Sequence, residues 1–252
     1  MQRTLFGLPF LLVIGSAAAS PPAGGGPAPS LPTDTLGPMQ RVAIDAQLAA
    51  NVAALEREDR LAPLRPVEGL QTGLQWPLHP VSGWRDPGYH GISNFVDLNN
   101  AIGVVGDWNC GTRSYDLSAA ESPPNGYNHA GIDIFLWPFA WRTMDAQSVD
   151  IVAAAPGQII GKVDGNDDRS CPGHYSSDWN AVYVRHGDGS VAWYGHMKLG
   201  SLTSKAIGAT VSTGEFLGKI GSAGFSTGPH LHFENHSAVT NYQILEPFAG
   251  AC

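Results

Sequence analysis

Five residues in three well-separated segments constrain this chain most: His129 and Asp133 in NHAGID, His196 in YGHM, and His230 and His232 in GPHLHFE. Two imidazoles and a carboxylate suit one divalent zinc ion with a coordination position left for water. Two further imidazoles are then available for acid–base work. Together these are the parts of a metal-dependent hydrolase, so the fold must draw three distant segments to one point.

Local spacing says how each segment contributes. In a strand, His230 and His232 share one face with Cα atoms about 6.6 Å apart, while Leu231 and Phe233 turn to the opposite, buried face. That separation suits one ligand and one neighbouring polar group better than two tight ligands. His129 and Asp133 would lie about 13 Å apart on a straight strand, too far to grip one ion. His129 is therefore placed on the loop after Asn125-Gly126-Tyr127-Asn128, and Asp133 on the following strand, with Gly131 letting the backbone turn. His196 follows Trp193-Tyr194-Gly195 at the end of a strand.

The surrounding sequence is written in β grammar from Trp76 onward. Ile151-Val-Ala-Ala-Ala, Gln158-Ile-Ile-Gly-Lys-Val, Ala181-Val-Tyr-Val-Arg and Val191-Ala-Trp-Tyr are short runs separated by turn residues. Residues 183–194 read as a hairpin turning at Asp188-Gly189, a pair suited to positive φ. Short strands without alternating long helices predict an antiparallel β domain over residues 76–252. Ahead of it, Ile44, Leu48, Val52 and Leu55 recur at helical spacing, predicting an amphipathic helix at 39–60. Its apolar stripe is expected to dock on the same chain. Carrying no catalytic residue types, it is assigned to positioning or latency. Residues 61–75, with Pro63 and Pro66, read as a linker. Residues 20–38 are too rich in Pro, Gly and Ser to order themselves.

The first nineteen residues have the pattern of a secretory signal peptide: Arg3, an apolar run at 5–14, then Ala17-Ala18-Ala19. The run is too short to span a bilayer, which needs about 20 apolar residues, and no later segment qualifies. An exported protein, secreted or acting in the periplasm or cell wall, is expected. The formal net charge of −8 leaves no electrostatic footprint for nucleic acid. Export also bears on the three cysteines. Cys110 and Cys171 lack metal-like spacing and are expected to form a disulfide, worth about 4 kcal/mol on the chain-entropy model. Cys252 is left over.

These motifs resemble the lysostaphin-type zinc metallopeptidases, a family of cell-wall endopeptidases that includes the β-lytic proteases. The resemblance runs in order through NHAGID, VAAAPGQIIGKV, NAVYVRHGDGSVAWYGHM and GEFLGKIGSAGFSTGPHLHFE, covering about residues 125–236. It implies a mainly β fold, an antiparallel sheet with the zinc in a groove between loops, here preceded by a short helical segment. It also implies that His129, Asp133 and His232 are the zinc ligands and that His196 and His230 are catalytic. The implied substrate is the peptide cross-link of bacterial peptidoglycan. All five positions are filled, unlike in degenerate, metal-free members of the family. A non-enzymatic wall-binding or regulatory module and a zinc protease acting on ordinary protein are the competing readings.

The other polar residues carry less. His186 lies beside a tight turn, His79 and His236 have no partner motif, and His174 is placed on a groove-edge loop. His90 and Asp97 are a weak candidate for a second polar site. Glu234 is read as structural. Ser222 and Ser226 lack the Gly-x-Ser-x-Gly setting of a serine nucleophile.

Overall fold

The computed structural model describes residues 36–65, 72–96, 129–176 and 178–248. The chain opens with helix α1 (Pro38–Arg57), which starts at a proline, where a missing N–H costs nothing. It stops three residues short of the predicted end. Asp59 takes a positive φ of 54°, and the N–H groups of Arg60 and Leu61 both turn back to the Leu55 carbonyl. No helix among the described residues is long and apolar enough to cross a membrane.

Strands follow in antiparallel order, as the turn-punctuated runs predict. Strands β1 (Leu78–Pro80), β2 (His90–Asn94) and β3 (Ile132–Leu136) precede a short helix α2 (Ala140–Asp145). Then come β4 (Val149–Val152), β5 (Gly157–Val163), β6 (Ala181–His186), β7 (Val191–Gly195), β8 (Thr210–Val211), β9 (Phe216–Lys219), β10 (His230–His236) and β11 (Ile244–Leu245). The larger sheet has the order β2-β3-β10-β7-β6-β5-β8, with β11 also on β10; β1, β4 and β9 form a smaller sheet. The mainly β, antiparallel architecture with one N-terminal helix is therefore as expected. The run at 151–155 is strand only as far as Val152, and Ala153, Ala154 and Ala155 continue as buried, irregular chain.

The hairpin at 183–194 has the predicted form. Tyr183 pairs with Trp193 and Arg185 with Val191, and Gly189 takes a φ of +94° at the turn. Strand β10 is the axis of the large sheet: its first half pairs with β3, and residues 232–236 pair with β7. That order brings the segments containing Asp133, His196, His230 and His232 side by side.

The core lies in two parts. One packs Ile132, Ile134, Val182, Tyr194, Leu231 and Phe233 between the sheets. In the other, Ile44, Leu48 and Leu55 of α1 pack on Ile160, Tyr183 and Trp193, so the helix docks in cis on the large sheet. Gly161 makes room for it, because a Cβ there would run into Leu48 and Tyr183. Asn51 adds a bond to the Ile160 carbonyl at 2.9 Å.

Residues read as a linker are bound to the domain where they are described. Ala62 N–H donates to Gln158, Arg65 N–H to the Gly187 carbonyl and Thr72 N–H to Asp188. The signal-peptide pattern, the segment at 20–35, Asn125 through Asn128, Asp97, Cys110 and Cys252 lie outside the described residues. Cys171 is a free, half-buried thiol in the structure, and its expected partner Cys110 is among those undescribed.

Candidate active site

All five sequence-selected residues come together at one end of β3, β7 and β10, and all five are buried. His129 precedes β3 while Asp133 lies within it, as the spacing argument requires. Gly131 serves differently from the expectation. Its φ is not positive; a Cβ would instead stand 2.6 Å from the Phe233 carbonyl and 3.0 Å from the His232 ring. The glycine permits close approach rather than a turn. His196 directly follows β7 with a positive φ of 56°, uncommon for a residue with a side chain.

Each imidazole is pinned by one nitrogen, which fixes what the other presents. His129 Nδ1 donates to the Gly131 carbonyl at 2.7 Å, His196 Nδ1 to the Ala223 carbonyl at 2.6 Å, and His230 Nδ1 to the Gly228 carbonyl at 2.8 Å. His232 is held the other way round, its Nε2 donating to Glu234 Oε1 at 2.8 Å. A ring nitrogen facing a carbonyl or carboxylate carries the hydrogen, so in the neutral ring the opposite nitrogen holds a lone pair. For His129 that is Nε2, 2.9 Å from Asp133 Oδ2; for His232 it is Nδ1, 2.7 Å from Asp133 Oδ1.

This arrangement tests whether the residues fit a metal ion. With both rings neutral, their free nitrogens and the ionised Asp133 carboxylate converge acceptor to acceptor, an arrangement a cation joins; without one, His232 takes a second proton and donates to both Asp133 and Glu234. Among the described residues, His129, Asp133 and His232 each offer one ligand atom, and these lie within 4.8 Å of one another. The donor set fits. Burial alone would raise the pKa of Asp133, but the His129, His230 and His232 rings outweigh it and hold the carboxyl well below its ordinary range. Burial would lower that of His232, yet Asp133 and Glu234 push it up to about 10.

His196 and His230 flank this cluster. Their ring centroids are 4.6 Å apart, and His230 Nε2 lies 3.6 Å from Asp133 Oδ1. One loop, residues 221–229, supplies the carbonyls that hold both. Ser222 and Ser226 are bonded to each other within it at 2.7 Å, matching a supporting role rather than nucleophilic chemistry. Trp179 closes one side, its ring 5.3 Å from His196 and 5.7 Å from His232.

Several contributors were not picked out from sequence. Asn94 of β2 donates to Asp133 Oδ2 at 2.6 Å. Glu234 accepts from His232 and, at 2.6 Å, faces His236, which stacks on Tyr242. Arg41 of α1 forks onto the same carboxylate with two bonds of 2.8 Å. The alternation His230, His232, Glu234, His236 was the available signal for the strand residues, since period two puts all four on one face. The other histidines stay apart: His186 bonds the Pro156 carbonyl, His174 is exposed beside Asp167, and His90 lies against Trp76.

The described residues thus form an antiparallel β domain with a buried His/Asp/His cluster that could hold a metal ion and two histidines flanking it. Residues 127–244 match the family model described as Peptidase family M23. The lysostaphin-type resemblance carried by NHAGID and GPHLHFE is thereby borne out. A DD-carboxypeptidase/endopeptidase, Mpg, from Neisseria meningitidis serogroup B is 49% identical over 72 residues, covering 29% of this chain. The protein of the same name from Neisseria gonorrhoeae matches to the same extent. The match spans 15% of the length of these relatives. The catalytic domain of the antimicrobial peptidase lysostaphin from Staphylococcus simulans is 26% identical, with a TM-score of 0.35 over 50% of this chain and 81% of that one.

Proposed function

We propose that the protein is an exported, zinc-dependent endopeptidase that hydrolyses peptide bonds in bacterial peptidoglycan cross-links. The observation that carries this is the convergence of the His129, Asp133 and His232 ligand atoms with the inward-facing rings of His196 and His230 beside them. Export rests on the signal-peptide pattern at residues 1–19.

When bound by His129, Asp133 and His232, zinc supplies Lewis acidity to water and to the scissile carbonyl. The remaining chemistry belongs to side chains. His196 and His230, each fixed through Nδ1 to a backbone carbonyl, present Nε2 to the reacting groups. One takes the proton of the attacking water and passes it to the leaving amine, and the other, protonated, hydrogen-bonds the developing oxyanion. The burial of both rings and the nearby Trp179 keep bulk water from competing for those contacts. Phe225, exposed on the loop that holds both histidines and 4.3 Å from Tyr175, gives an extended peptide an apolar edge to lie against.

The test is turbidity loss of purified peptidoglycan with and without a chelator, with mass spectrometry of the released fragments. New amine termini that vanish on chelation support the reading. Chelator-insensitive binding without new termini favours a wall-binding module, and cleavage confined to protein substrates moves the activity off the wall.

A further inference from the structure

The matched peptidase region begins at residue 127, yet one contact in its site is made from far outside it. Glu234 is fully buried and sits between two ring nitrogens, His232 Nε2 on Oε1 and His236 Nε2 on Oε2. Both of its oxygens also receive the Arg41 guanidinium, Nη2 on Oε1 and Nη1 on Oε2. The fork is planar and rigid, so it fixes the plane of the carboxylate as well as its position. Without such a partner, the terminal torsion of a glutamate is broad and soft. Trp193 supports the guanidinium from the other side, its ring 5.5 Å from the Arg41 carbon. Packing of Ile44 and Leu48 on the sheet places the helix that delivers it.

We infer that Arg41 is a positioning residue for the metal centre: it orients Glu234, which orients His232 so that Nδ1 faces the metal. The N-terminal helix is then a working part of the site and not only a cover for the sheet. Glu234 is the acceptor that selects which His232 nitrogen carries hydrogen, and Arg41 holds Glu234 in the plane that serves His232 and His236 together. Outer partners of a ligating histidine usually change metal affinity by about 10–100-fold when removed. The inference rests on the reading of His232 as a ligand, and the experiment separates the two.

Metal-free full chain is titrated with Zn2+ against a chromophoric chelator, with circular dichroism and thermal melts to verify folding. The panel is wild type, R41Q, R41K, E234Q, the R41Q/E234Q double variant, H232A and R60Q. Arg60 bonds Glu58 and the Ile207 carbonyl, away from Glu234, so R60Q tests loss of a cation near the helix end alone. R41Q and E234Q are each expected to weaken Zn2+ binding about 10–100-fold. The double variant should be no weaker than the worse single, since both changes break one relay. R41K should fall between, because an ammonium cannot fork, and R60Q should match wild type. Folded R41Q that binds Zn2+ like wild type overturns the inference, as does a double variant whose losses simply multiply. Should R41Q fail to fold, R41K decides: unchanged affinity overturns the inference, and a several-fold loss supports it. H232A that keeps wild-type affinity sinks the ligand assignment itself. Loss in H232A with none in R41Q sinks only the role of Arg41.

Discussion

Asn94 and Asp133 stand opposite each other on neighbouring strands, and the amide of the first donates to a carboxylate oxygen of the second at 2.6 Å. The ladder shifts register between Ile92 and Asn94, so a bulge sets which residue of β2 meets Asp133. The stretch at 76–96 thus reaches the centre of the site. N94L keeps the bulk and removes the donor. It should fold and lose about 10–100-fold in Zn2+ affinity, measured by chelator competition. Wild-type affinity in N94L would mean that the amide is incidental.

The two histidines of the H-x-H pair should separate cleanly. His232 turns Nδ1 to Asp133, while His230 approaches the same carboxylate only at 3.6 Å. H232A is expected to lose both metal and activity. H230A should keep near-stoichiometric metal and lose about 10²–10⁴-fold in turnover, the scale of a general acid–base group, and H196A should resemble it. Metal analysis beside a cleavage assay checks this, and metal loss in H230A with retention in H232A reverses the roles.

Metal uptake should release a proton. In the chelated protein, the Asp133 and Glu234 carboxylates raise His232 from its ordinary 6.5 to about 10. Its charged form then contributes stability that is complete below about pH 6.5 and lost as pH rises toward 10. The melting temperature of the chelated protein should accordingly drift down across that window. Zn2+ must displace the same proton, so its association constant should climb close to tenfold per pH unit there. Calorimetry near pH 7.5 in buffers of different ionisation enthalpy should find about one proton released. No release would show that His232 is already neutral.

Helix docking depends on a notch at Gly161. A methyl group there meets Leu48 and Tyr183, so G161A should cost about 1–3 kcal/mol from overpacking. L48A alone should cost about 2–5 kcal/mol, as a buried leucine left as a cavity. The double variant should lose less than the sum, because each change makes room for the other. Strict additivity in chemical denaturation would place the two side chains apart.

The sequence spoke most clearly where chemistry and periodicity coincide. His230 and His232 share a face because a strand alternates, and His129 lies off the strand that holds Asp133 because ligand bonds are short. Asp188-Gly189 marks its hairpin because few pairs tolerate positive φ. Arg41 and Asn94 escaped notice for the opposite reason. Neither belongs to a motif, and each reaches its partner only through tertiary packing, across 193 and 39 residues respectively. Glu234 was visible but read as structural, since nothing in GPHLHFE says that its carboxylate bridges two imidazoles. The helix end was misjudged for a local reason, the left-handed turn at Asp59 in a stretch without glycine.

Strand β10 carries Leu231 and Phe233 toward the core on one side and His230, His232, Glu234 and His236 on the other. Its hydrogen-bond ladder with β3 and β7 is therefore also the ruler of the chemistry. Inserting or deleting one residue within it would turn the aliphatic and aromatic side chains into the histidine and carboxylate cluster and drive the downstream polar groups into the apolar layer. Such a change could not be repaired by repacking one neighbour. Length variation is consequently expected to collect in the connections flanking this strand, while within it only substitutions that preserve the alternation can survive.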